Sequence, residues 1–156
     1  MKNIRIILTA SLSWSLLIMP LICSAQNEAI GFVKTVTGEA WVTTAGQRSR
    51  VQLGVPIFLG SQLKTSAAAA IGVAFKDNTM VSLGPDTDMT VDEYLYAPSK
   101  KDYKFGARLS KGSLNYVSGV IAKLKPDAVT VKTPGGIIGV RGTQFVARVE
   151  IPQGVP

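Results

Sequence analysis

From Ile30 onward, apolar and polar residues alternate in short runs cut by glycine every eight to twelve residues, the spacing of short strands joined by tight turns. The pattern predicts an all-β chain. Strands are expected over residues 30–36, 39–44 and 48–53, with Thr37-Gly38 joining the first two as a hairpin and Ala45-Gly46-Gln47 turning the chain into the third. Pro56, between Gly54 and Gly60, excludes a central strand there, so this stretch reads as an irregular crossing with Ile57, Phe58 and Leu59 in the core. Residues 67–70 are four alanines, which favour helix, but Ile71, Val73 and Phe75 then alternate strictly with Ala70, Gly72 and Ala74. That alternation predicts a strand covered on both faces, with the small-residue face meeting another backbone closely.

Asp77-Asn78 supplies a turn, residues 79–83 return as its partner strand, and Gly84-Pro85 ends it. Further strands are expected over 87–93, 104–110, 112–118, 128–132 and 143–151, with a polar loop at 97–103. Residues 120–124 fit one helical turn stopped by Pro126. The sum is a single domain of about ten short strands, a sandwich or solenoid-like roll, with its core between about residues 30 and 150. No motif recurs at a fixed interval, so a repeat array is not expected.

The first 25 residues stand outside this pattern. Lys2 and Arg5 precede an apolar run over 6–22, and Cys23-Ser24-Ala25 ends on the small residue that a signal peptidase requires. Residues 1–25 therefore read as a signal peptide, with residues 26–156 as the mature chain. Two alternatives stay open: an uncleaved membrane anchor, and a lipoprotein acylated at Cys23, against which Ile22 speaks because a small residue is needed there. Membrane contact is expected only if the leader is uncleaved. Cys23 is the chain's one cysteine, so a mature chain has none, and its stability must come from a buried core.

Composition then narrows the chemistry. The chain has no histidine, which removes Ser-His-Asp triads, Cys-His dyads, histidine metal ligands and imidazole proton shuttles. The leader holds two of the 17 bases and none of the 10 acids, leaving a mature net charge of +5. For an exported protein that excess serves solubility or contact with anionic envelope material, and nucleic acid is not an expected partner. Lys100, Lys101, Lys104, Arg108 and Lys111 read as a solvated basic face.

The acidic group Asp86, Asp88, Asp92 and Glu93 is the best metal candidate by composition, but it fails the calcium-loop pattern: Val91 stands where glycine is needed and Ala97 where a bidentate glutamate is needed. No metal and no cofactor are expected. A carboxylate pair for sugar hydrolysis would need a lined cleft, and aromatics are few. Trp41, the one tryptophan after the leader, is expected to pack in the core more readily than to stack on a sugar.

Residues 135–142 hold four glycines yet match neither dinucleotide nor phosphate-loop spacing. They are expected to thread tightly against another strand, burying Ile137, Ile138 and Val140. Arg141 is the charged residue in that stretch, and two roles compete for it: capping main-chain carbonyls of nearby turns, or presenting its guanidinium fork to a ligand carboxylate.

The segment Thr133-Pro134-Gly135-Gly136-Ile137-Ile138-Gly139-Val140-Arg141-Gly142-Thr143-Gln144-Phe145 resembles the signature of the FecR domain. Gly38-Glu39-Ala40-Trp41-Val42, Leu59-Gly60-Ser61-Gln62-Leu63-Lys64-Thr65, Phe75-Lys76-Asp77-Asn78-Thr79, Gly84-Pro85 and Lys111-Gly112-Ser113-Leu114 precede it in that family's order. The resemblance implies a bacterial, periplasmic, non-enzymatic β domain that works by protein contact and signalling. Its best-known members are transmembrane anti-sigma regulators that sense an outer-membrane iron-siderophore receptor. Only five residues precede the apolar run here, so direct sigma-factor binding is not expected.

These readings combine into an exported binding or sensory accessory domain of the cell envelope. Its location is expected to be periplasmic, with secretion or inner-membrane anchoring as alternatives, and its partner an envelope or periplasmic protein. Arg141 and Trp41 are the candidate contact residues. The alternative function is a carbohydrate-binding module that contacts glycan through Trp41, Tyr94, Tyr96, Tyr116 and the basic strand.

Overall fold

The computed structural model of the protein describes residues 28–150. The leader, its cleavage point and the tail at 151–156 lie outside the described residues. Twelve strands follow in chain order: β1 (Gly31–Thr37), β2 (Ala40–Thr44), β3 (Gln47–Arg50), β4 (Pro56–Ile57), β5 (Gln62–Thr65), β6 (Ala70–Phe75), β7 (Met80–Leu83), β8 (Asp88–Ala97), β9 (Asp102–Val117), β10 (Val129–Thr133), β11 (Gly136–Gly139) and β12 (Gln144–Val149). The short helix α1 (Val120–Leu124) lies between β9 and β10 and falls where the sequence places it, ahead of Pro126. The fold is all-β, as expected.

The strands form one continuous sheet in the order β3-β2-β5-β8-β9-β7-β6-β1-β4, curled so that its two wings enclose the core. β9 joins the wings. Along its first part it pairs antiparallel with β8 and, from Phe105 to Arg108, parallel with β10. Along its last part it pairs with β7 and with β12. The two strands expected at 104–110 and 112–118 are therefore one 16-residue strand. Gly112, with φ of 88°, lets that strand bend without ending, and a Cβ there would run into the main chain of Thr87.

Two other expectations are corrected. β1 and β2 are not a hairpin, because β1 pairs with β4 and β6 whereas β2 pairs with β3 and β5. At Gly38, φ is 69° and an added Cβ would stand 2.9 Å from the Ala69 Cα, so the chain crosses between wings at a point only glycine fits. Of Ile57, Phe58 and Leu59, only Ile57 is buried; Phe58 is half-buried and Leu59 is exposed, because the two-residue β4 presents a single inward position. The expected turn into β3 is present: Ala45 and Gly46, both at positive φ, form a two-residue loop between Thr44 and Gln47.

β6 shows why alternation outweighed alanine's helix propensity. Ile71, Val73 and Phe75 are all buried on the inner face, and on the other face Gly72 lies directly under the Thr35 hydroxyl. An aromatic chain then links the wings. Phe75 meets Phe105 edge-on at 5.1 Å, Phe105 meets Tyr116 at 5.5 Å, and Tyr116 stacks on Phe145 at 5.2 Å.

A buried carboxylate fixes one end of this core. Asp77 has no solvent exposure, and its oxygens accept from the Thr79 hydroxyl at 2.7 Å, the Tyr94 hydroxyl at 3.2 Å and the Ile121 N–H at 3.2 Å. Its own carbonyl accepts the Val120 N–H at 2.7 Å. The turn at Asp77-Asn78 thus also caps the first turn of α1, a role that the sequence pattern does not reveal.

Candidate functional site

The glycine-rich segment becomes a hairpin on the surface. Thr133 and Gly136 close a two-residue turn at Pro134-Gly135, with the Thr133 hydroxyl donating to the Gly136 carbonyl at 3.0 Å. β11 then runs antiparallel to β10, and the Val140 N–H donates to the Val129 carbonyl at 3.2 Å. Beyond the bend at residues 141–143, the Ser118 N–H donates to the Thr143 carbonyl at 2.8 Å and β12 begins against β9.

Two side chains anchor this segment. Val140 is buried, and Phe145 is half-buried against Tyr116. Between and before them the chain faces water. Ile137 is 69% exposed, Ile138 only half-buried, and no atom lies within 4 Å of a Cβ built on Gly136, Gly139 or Gly142. The expected tight threading is therefore overturned for Ile137 and Ile138 and holds for Val140 alone. The physical reason lies in strand parity and position: Ile138 and Val140 share the inward face, Ile137 faces outward beside Lys132, and at the sheet's edge no further strand flanks either isoleucine.

Arg141 points outward and pairs with Asp127. Its Nε and Nη2 donate to one carboxylate oxygen at 3.0 and 2.8 Å, and both side chains are more than 70% exposed. The partner is thus a carboxylate, not the main-chain carbonyls of nearby turns. An ion pair so hydrated contributes at most about 1 kcal/mol and leaves the guanidinium reachable.

Trp41 is not in the core. Ala40 and Val42 take the inward positions of β2, so strand parity puts Trp41 on the outer face, where it is half-buried. The Arg48 guanidinium lies 4.5 Å from its ring centroid, and Arg50 and Lys64 stand beside it in register. The structure does not bring Trp41 together with Arg141, which lies beyond β11 at the far end of that wing. Nor do the tyrosines gather around it. Tyr116 is fully buried, Tyr94 holds Asp77, and Tyr96 packs near Tyr103 at 6.1 Å.

Burial pushes the Tyr116 phenol up to about 12, and burial followed by the neighbouring Asp77 charge raises Tyr94 as well. Both rings remain neutral structural elements. The acidic residues of β8 are each matched across strands: Asp88 with Lys64 at 3.1 Å and Gln62 at 2.8 Å, Asp92 with Arg108 at 2.9 Å, and Glu93 with Lys104 at 3.2 Å. Among the described residues, no group of three or more acidic or thiol side chains converges as a metal site would require. Of the expected basic face, Lys104 and Arg108 are thus tied to carboxylates.

The candidate site is a solvated, glycine-rich edge hairpin on a curled all-β scaffold. The family model described as FecR protein matches residues 61–154, and this chain belongs to the FecR family. A solved structure described as "Cell surface anchoring domain" is 35% identical, over 39% of this chain and 82% of that one, with a TM-score of 0.38. The comparison with curated proteins returned no match.

Proposed function

We propose that this chain is an exported, non-enzymatic accessory of the bacterial cell envelope that acts by protein contact, in sensing or signalling, through the 133–145 segment. The observation that carries the reading is the exposure of that segment. Its residues are those that mark the family resemblance, yet Gly139 and Gly142 lie in open space without left-handed φ, so nothing inside the described molecule demands glycine there. A requirement from outside, a partner lying close to the backbone, accounts for both. The exposure of both Arg141 and Asp127 supports a role in which the guanidinium exchanges Asp127 for a partner carboxylate. The reading of residues 1–25 as a cleaved leader supports export, and the family resemblance supports the periplasm as the location.

In-cell chemical cross-linking in the native host, followed by affinity purification and mass identification, tests this reading. The expected result is one discrete envelope protein, with capture reduced several-fold by Arg141→Ala. Recovery of cell-wall fragments instead would move the function to carbohydrate binding.

A further inference from the structure

Four strands have a partner on one side only along their whole length among the described residues: β3, β4, β11 and β12. Three of them carry the features by which proteins keep edges from pairing. β3 presents Arg48 and Arg50, β4 is two residues long and begins with Pro56, and β12 carries Arg148, paired with Glu150 at 3.0 Å. β11 carries none of these. Its four residues, Gly-Ile-Ile-Gly, hold no charge and no proline, and its pairing with β10 runs without a bulge.

The hydrogen-bond alternation says what this edge offers. The Val140 N–H bonds to Val129, so antiparallel parity directs the main chain of Ile138 toward β10 and that of Ile137 and Gly139 toward the open side. Two N–H groups and two carbonyls are thereby aimed outward in strand geometry. With the small Gly136 and Gly139 at its ends, no side chain there overhangs the approach.

Charge selects the occupant. Ile137 stands in register beside Lys132, which stands beside Arg108, and Lys125 and Arg141 lie at the far end of the hairpin. Against these bases the acids are Asp127, bound to Arg141, and Asp92, bound to Arg108. A second copy of this chain would set the same basic rim against itself, which adjacent strands disfavour.

We infer that the open edge of β11 receives an extended, acidic segment of another protein as an added strand. This rests on the protein-contact reading above and names the element that makes the contact. The probe is a synthetic decapeptide alternating valine and glutamate, titrated into the ¹⁵N-labelled protein, with an alternating valine–lysine peptide as control. The expected result is shifted amide signals and at least tenfold slower exchange at Ile137 and Gly139 with the glutamate peptide alone. Ile137→Pro, which removes one outward N–H, and Ile137→Glu, which leaves the backbone intact and sets a like charge against the peptide, should each abolish this while the β10 amides keep their dispersion.

Equal response to the lysine peptide, protection of β12 or β3 instead, or peptide-free dimerisation that protects β11 would each overturn the inference. The in-cell experiment separates its failure from that of the broader reading. If the two Ile137 variants capture the same envelope protein as fully as wild type, the edge assignment fails and the contact reading stands. If wild type captures none, both fail.

Discussion

The Asp77 carboxylate accepts the main-chain N–H of Ile121, 44 residues further along the chain, inside a core that admits no water to either group. One turn residue thereby joins the β6–β7 hairpin to α1 and, through the Tyr94 hydroxyl, to β8. Gly119 makes this closeness feasible, because a Cβ there would collide with the Asp77 carbonyl and the Thr79 N–H.

Asp77→Ala should be among the most destabilising substitutions in the chain. It leaves the Ile121 N–H and the Thr79 hydroxyl buried without their acceptor, a loss of about 3 kcal/mol or more at roughly 1.5–3 kcal/mol per hydrogen bond to a charged group. Asp77→Asn keeps the shape and one acceptor oxygen, and should lose less. Urea denaturation with unchanged slope would verify both, and a midpoint for Asp77→Ala equal to wild type would remove Asp77 from its central place.

Glycines of the two kinds should separate cleanly. Gly112→Ala puts a Cβ at φ of 88° against the Thr87 main chain and should cost at least about 2 kcal/mol, disturbing the bend of β9. Gly139→Ala and Gly142→Ala meet no atom and should stay within about 0.5 kcal/mol of wild type, or gain slightly from a stiffer unfolded chain. Thermal melts of the three variants give the comparison, and a large loss from Gly139→Ala would show that the hairpin packs inward after all.

Tyr116 carries the pH prediction. Its buried hydroxyl has no hydrogen-bond partner among the described residues, and its pKa is raised by burial to about 12, above the value near 10 of an unfolded tyrosine. A group whose folded-state pKa is raised contributes stability that is whole below about pH 10 and is lost as pH climbs toward 12. Tyr116→Phe should therefore hold or raise stability by about 1 kcal/mol at neutral pH and flatten the decline above pH 10. Parallel denaturation curves from pH 7 to 12 would check this; an equally steep alkaline decline in both proteins would assign it to Tyr94 or other groups.

Arg141→Ala should fold as wild type does, losing less than about 1 kcal/mol, because the Asp127 pair it breaks is exposed on both sides. The small loss should shrink further in high salt. Calorimetry at low and at molar salt tests this, and a loss beyond about 2 kcal/mol would return Arg141 to a structural role.

Local patterning was enough for the all-β class, the β6 strand despite its alanines, the β2–β3 and β6–β7 turns, the extent of α1 and the family resemblance. Each of these rests on local information: side-chain parity, left-handed turn residues, or a proline that ends a helix. Tertiary structure alone decided that 104–110 and 112–118 are one strand, that β1 and β2 belong to different wings, that Trp41 faces outward and that Ile137 is bare. Those outcomes depend on which strand lies beside which. An apolar residue beside a glycine reads the same whether the chain next to it is present, as at Gly72, or missing, as at β11. Asp77 carries the same lesson, since a turn aspartate becomes a buried anchor only when a helix arriving some 44 residues later places the Ile121 N–H on its carboxylate and the Val120 N–H on its carbonyl.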